Sequence, residues 1–205
     1  MEVVLAKSAG FCFGVKRAMD MACEQAEKTN EKIYTYGPII HNEQVVSGLE
    51  EMGVYVIEDK ATLEKMHDVT VIIRTHGVSP EIYETAEKNN INLIDATCPF
   101  VLKIHRIVEE YSDKGYTIVI IGDPNHPEVQ GIRGWVKNGH VFIISDEEQA
   151  GGFDNEFNEK ICIVSQTTFN SKKFKELVEV LRKKRYTVSV VNTICNATEV
   201  RQSEA

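Results

Sequence analysis

The 205-residue sequence has no Cys-x-x-Cys pair, no Pro/Ser-rich linker and no low-complexity segment. It also has no apolar run approaching the roughly 18 residues that a membrane span needs. The first absence excludes a zinc ribbon and a bacterial ferredoxin ligand run. The start, MEVVLAKSAGF, lacks a basic opening and a long apolar stretch, so no secretory signal is read and a cytoplasmic location is expected. Basic residues are in the minority, with 23 Lys and Arg against 31 Asp and Glu and a net charge of −8. That balance excludes a nucleic-acid surface built on clustered cations, though not a local histidine-lined pocket for a small anion. A 42% hydrophobic and 26% charged composition is ordinary for a soluble globular chain.

Short Val/Ile-rich runs alternate with helical periodicity along the chain. Strands are predicted at 3–6, 32–37, 54–58, 70–75, 92–97, 117–122, 140–145, 160–166 and 187–192. Helices are predicted at 14–29, 42–52, 60–66, 80–90, 99–114, 127–137, 146–150 and 170–185. Several strands are apolar on both faces, as parallel strands covered by helices must be. The fold class expected is therefore α/β, with parallel sheets flanked by helices. A boundary near 97–99 divides the chain into two similar lobes, 1–97 and 98–192, the segment 1–13 contributing Cys12 to the first. Residues 193–205 read as the start of a truncated third lobe, opening on a short helical turn.

Five cysteines make an odd number: Cys12, Cys23, Cys98, Cys162 and Cys195. Cys23 lies in a helical pattern and Cys162 in a strand pattern, and both read as small buried hydrophobes. The other three stand at predicted helix entries, in AGFCFGVKRA, DATCPFV and NTICNAT. A helix N-terminus favours a thiolate over a thiol. Any one of them alone reads as a buried or capping cysteine. Three in one local context read as ligands of a metal or cluster with a coordination position left open, with three-thiolate zinc as the competing metal.

His41, His76 and His126 each follow a predicted strand, in GPIIHN, RTHG and GDPNHPE. Their Gly and Pro neighbours fix loops and permit close backbone approach. With the free amides of helix starts they make an anion site, for which phosphate or diphosphate is the natural guest. His67, His105 and His140 have ordinary surroundings. Glu128 follows His126 and Pro127, where it is either a favourable helix-start carboxylate or a proton relay. In SQTTF, Thr167 is a hydroxyl able to order a substrate oxygen, while Thr168, Asn170 and Ser171 compete to cap the next helix.

Taken in order, AGFCFGVKRA, GPIIHN, RTHG, DATCPFV, GDPNHPEVQG, SQTT and ICNATEVRQ resemble the 4-hydroxy-3-methylbut-2-enyl diphosphate reductases of the non-mevalonate isoprenoid pathway. The resemblance spans residues 9 to 202. It implies a cloverleaf of α/β lobes around a central 4Fe-4S cluster with three cysteine ligands, Cys12, Cys98 and Cys195, and one open iron. It further implies that His41, His76 and His126 contact the substrate, that Glu128 supplies protons, and that Thr167 orders the allylic hydroxyl. An electron donor such as ferredoxin or flavodoxin would be the partner, with no nucleic acid and no membrane. The family's Ser-x-Asn diphosphate motif lies beyond residue 205. Two other readings stay open from the residues themselves: a three-cysteine zinc hydrolase with Glu128 as base, and a non-catalytic iron–sulfur sensor.

Overall fold

The computed structural model describes residues 3, 4, 6–29, 31–154, 156, 157 and 159–204, excluding the side chains of 199, 202 and 203. The first round of elements is α1 (Phe13–Lys28), β1 (Ile33–Tyr36), α2 (Glu43–Glu51), β2 (Val54–Ile57), α3 (Lys60–Leu63), β3 (Thr70–Ile73), α4 (Pro80–Lys88) and β4 (Asn92–Asp95). The second is α5 (Pro99–Asp113), β5 (Thr117–Ile121), α6 (Pro127–Gly134), β6 (Val141–Ile144), α7 (Glu147–Gly152), β7 (Lys160–Ser165), α8 (Ser171–Arg182) and β8 (Thr187–Val190). A ninth helix, α9 (Asn196–Glu204), begins a further round.

Each round closes its own four-stranded sheet, ordered β2-β1-β3-β4 and β6-β5-β7-β8. All six strand pairings are parallel. Two compact units result: Phe11–Leu102, and Met1–Gly10 with Lys103–Ala205. The α/β class expected from the alternation is the class observed.

The apolar strands have two faces to fill, and the side chains divide between them by the two-residue period of a strand. In β5, Val119 and Ile121 join Ile161 and Ile163 of β7 beneath Phe174, Leu177, Val178 and Leu181 of α8. The alternate residues Ile118, Ile120, Cys162 and Val164 pack against Ile104 and Val108 of α5 and Val129 and Ile132 of α6. The first sheet divides likewise. Ile33, Val54 and Ile72 face Ala18 and Ala22 of α1 and Leu49 of α2, while Ile57, Val71 and Ile73 face Leu63 of α3 and Ile82 and Ala86 of α4. Every residue of β5 is buried, and each such aliphatic side chain contributes roughly 1.5–3 kcal/mol when removed from water.

Among the described residues, the strand predicted at 3–6 is not formed. Val3 and Val4 are 85% and 80% exposed and lie outside both sheets, and Leu5 of that predicted strand lies outside the described residues. A segment without a neighbouring strand gains no ladder bonds, whatever its propensity. The segment that follows is held by α9 instead. The main-chain N–H groups of Lys7 and Ser8 donate to the Glu204 carboxylate at 2.6 and 2.9 Å, and Arg201 donates to Gly10 O at 3.0 Å. Six of the eight predicted helices are shorter by one to four residues, most at 170–185, where α8 ends at Arg182, and at 60–66 α3 keeps one turn capped by the Asp59 side chain.

Ile163 tests the two-faced core, because it is fully buried and pairs with Val119 and Val190. Ile163→Ala should cost about 2–5 kcal/mol and Ile163→Val about 0.5–1.5 kcal/mol. Denaturant midpoints measure both, and an unmoved midpoint for the alanine variant would contradict the packing.

Candidate functional site

Topology decides where a ligand can sit. In a parallel sheet the connections reverse direction at one point, leaving a crevice at the carboxyl ends of the two strands that flank it. Those strands are β1 and β3 in one sheet and β5 and β7 in the other. The loops leaving them carry His41 and His76 in the first unit, and His126 and Thr167 in the second. Cys98 and Cys195 follow the outer strands β4 and β8 and directly precede α5 and α9. Cys12 directly precedes α1. Each thiol thus stands before the first helix of a round.

In the unit 11–102, Gly37 begins the loop of His41 with φ +72°, a conformation that disfavours other residues. A Cβ there would lie 1.9 Å from Nη1 of Arg74, so the glycine also makes room for that guanidinium. The Thr75 hydroxyl donates to Ile39 O at 3.0 Å, tying the His76 loop to the His41 loop. The two imidazole centroids lie 4.8 Å apart, tilted by 43°. Asn42 caps α2, its side chain accepting from Val45 N at 3.1 Å, so His41 is not needed as the cap. Two adjacent imidazoles can present N–H donors to an anion.

The thiols of this unit are placed by main chain. Cys98 N donates to Thr75 O at 3.0 Å. Cys98 Sγ packs against the first turn of α1, where a Cβ on Gly14 would meet it at 2.6 Å. Cys12 is the N-cap of α1, accepting Lys16 N at its carbonyl while its thiol makes no cap bond. None of the five cysteines forms a disulfide.

In the other unit, Glu128 is only 2% exposed. Its Oε1 accepts the main-chain N–H of Thr167 at 2.5 Å, and its Oε2 accepts the Thr167 hydroxyl at 2.6 Å. Burial pushes its pKa above the ordinary carboxylate value, and the two Thr167 bonds oppose that shift. His126 caps α6, its Nδ1 accepting Glu128 N at 3.1 Å. An accepting Nδ1 puts the proton of the neutral ring on Nε2. Cys195 N donates to Thr167 O at 2.9 Å, repeating the bond that Cys98 makes to Thr75. Asn170 is the cap of α8, accepting Lys173 N at 2.8 Å, while Thr168 accepts from Gln166.

The other candidates are structural. Cys162 is fully buried in β7 and its thiol is pushed up to about 12 by that burial. Cys23, on α1, packs half-buried against the core of its unit. His105 is buried and stacks on Trp135 with 5.2 Å between centroids. Sequence reasoning passed over Gly14, Arg17 and Thr75. Their signals were in view: Gly14 and Arg17 lie three apart on the helix after Cys12, and Thr75 holds the place in its round that Thr167 holds in the next.

The LytB protein family profile matches residues 3–205. The 4-hydroxy-3-methylbut-2-enyl diphosphate reductase of Caldanaerobacter subterraneus subsp. tengcongensis is 48% identical over 100% of this chain and 70% of its own length. That of Clostridioides difficile is 43% identical over 100% of this chain and 72% of its own. A solved structure of the same enzyme, described as the terminal one of the non-mevalonate pathway, matches with TM-score 0.83 and 42% identity over 98% of this chain and 71% of that one. The Plasmodium falciparum reductase structure matches with TM-score 0.87 and 33% identity over 95% of this chain and 61% of that one. With its profile matched from residue 3 to the end and relatives this similar along its whole length, the chain belongs to the LytB protein family.

Proposed function

We propose that this chain reduces 4-hydroxy-3-methylbut-2-enyl diphosphate to isopentenyl and dimethylallyl diphosphate, with a 4Fe-4S cluster on Cys12, Cys98 and Cys195. Family membership supports the reaction. The observation that carries the chemistry is Glu128, a buried carboxyl with both oxygens bonded to Thr167. The three thiols fit such a cluster by donor type, since thiolates are its usual ligands. The space left by Gly14 fits as well, because only a residue without Cβ lets the Cys98 sulfur lie beside the helix that Cys12 begins. When bound, a cluster with an open iron supplies electrons one at a time and a Lewis-acid position.

The protein's own groups do the rest. The imidazoles of His41, His76 and His126 bind the diphosphate and orient the hydroxymethyl end, lowering the entropic barrier. Hydroxide is a poor leaving group, so the breaking C–O bond needs a proton on oxygen. Burial raises the pKa of Glu128 and so favours its protonated form. When it is protonated, the Thr167 hydroxyl can turn from donor to acceptor and pass its own proton onward to the substrate oxygen. Two electrons from a donor such as ferredoxin or flavodoxin and two protons balance the reaction. One proton leaves with the oxygen as water, and the other goes to one end of the allyl group, which decides the product. Among the described residues no helix is long and apolar enough to cross a membrane. On this reading the protein works in the cytoplasm, its lobes at 1–97 and 98–192 with a third opening at 193–205.

Anaerobically prepared protein should be brown and hold about four irons and four sulfides per chain; colourless protein with one zinc would favour a hydrolase. Cys98→Ser should lose cluster and activity together, and normal turnover would remove it from the ligand set.

Glu128→Gln should slow reduction by about 100- to 10,000-fold while cluster content and substrate Kd hold. An equal loss of affinity would make Glu128 a positioning group.

Stability against pH gives a separate check. The folded chain keeps a proton on Glu128 that the unfolded chain releases above its ordinary value of 4.5. The contribution of this group is therefore greatest below that pH and falls as pH rises toward the elevated folded value. Denaturant titrations should show this downward slope in the wild type relative to Glu128→Gln. Parallel curves would mean that Glu128 titrates normally.

A further inference from the structure

We infer that Arg17 is a positioning residue for the two thiolates Cys12 and Cys98, acting through a fork onto the main chain of the turn that carries Cys98. The inference rests on the cluster reading above.

Arg17 lies on α1, five residues past Cys12 and three past Gly14. Residues three apart share a helix face, so Gly14 and Arg17 meet the same neighbour. That neighbour is the turn 95–98. Gly14 admits the sulfur of Cys98, and Arg17 donates from Nη1 to Thr97 O at 3.2 Å and from Nη2 to Asp95 O at 3.3 Å. The turn is gripped from two further sides. The Asp95 carboxylate accepts Thr97 N from within the turn at 2.9 Å and the Tyr83 hydroxyl from α4 at 2.9 Å. Cys98 N is held by Thr75 O at 3.0 Å.

Of these supports, only Arg17 joins the Cys98 turn to the helix that Cys12 begins by hydrogen bonds. The planar fork suits this task, since a rigid guanidinium addresses two carbonyls at once with fixed geometry, whereas an ammonium is a point charge on a flexible stem. Removing it leaves the apolar packing of α1 through Ala18 and Ala22 in place. What changes is the freedom of one thiol-bearing segment relative to the other. Groups that orient ligands in this way typically cost 10- to 100-fold in metal affinity when removed.

The test is iron release to a chelator from anaerobically reconstituted protein, with thermal unfolding of each variant measured in parallel. Arg17→Met, which keeps the apolar stem, should release iron about 10- to 100-fold faster than wild type while remaining folded. Arg17→Lys should fall between them, and Arg182→Met, at an exposed position on α8, should match wild type. If Arg17→Met fails to fold, Arg17→Lys decides: release faster than wild type supports the inference and release at the wild-type rate overturns it. A folded Arg17→Met variant with wild-type iron content and release rate also overturns it. A wild-type chain that takes up no iron overturns the cluster reading, and this inference falls with it.

Discussion

Two main-chain hydrogen bonds place two of the candidate cysteines, one in each unit: Cys98 N to Thr75 O, and Cys195 N to Thr167 O. Each continues a parallel ladder past the end of its strands. In the first sheet Ala96 N bonds Ile73 O just before Cys98 N bonds Thr75 O, and in the second Val191 N bonds Ile163 O before Cys195 N bonds Thr167 O. Backbone bonds are insensitive to side-chain rotamers, so the position of each cysteine follows from strand pairing. The loop on the accepting side carries His76 in one unit and Thr167 in the other. A thiol and a candidate site residue within each unit are therefore held by the same extension of the sheet, and the main chain of neither can shift without breaking ladder bonds.

Glu128 shows how a small change in a repeated frame buries a carboxyl. The motif His-x-Glu occurs twice, at 41–43 and at 126–128, each time between the first strand and second helix of a round. In the first copy Asn42 is the helix cap and Glu43 is the first helical residue, exposed to solvent. In the second copy His126 is itself the cap, Pro127 fills the first helical position, and Glu128 moves one place into the helix and becomes buried. A buried carboxyl needs partners or a proton. Thr167 supplies two partners, yet desolvation still outweighs them. That residual preference for the protonated form is the property that a proton donor requires.

The alternation of elements was legible because parallel strands buried on both faces leave long Val/Ile runs, such as TIVII at 117–121 and KICIVS at 160–165. The segment at 3–6 misled, since its composition resembles a strand and only the absence of a neighbour denies it one. The residues placed at strand ends were also legible, as Gly, Pro, His and Cys crowd into loops at fixed points of each round. What the sequence could not give was the second layer. Arg17 reads as one more basic residue on a helix, and its role appears only once Asp95 O and Thr97 O stand opposite it. Thr75 was hidden for a different reason, because its contribution is largely a carbonyl, and a carbonyl is common to every residue.

The spacing of the thiols follows from the same repeat. Cys12, Cys98 and Cys195 precede α1, α5 and α9, the opening helices of successive rounds. One round offers one thiol at this place. Under the proposed function, the three-thiolate centre takes its ligands from these three helix starts. This explains why no Cys-x-x-Cys pair is required. Close pairs let one loop bind a metal by itself, whereas under the proposed function each thiol is offered singly, from the start of its own helix. On that reading, assembly of the centre is coupled to folding.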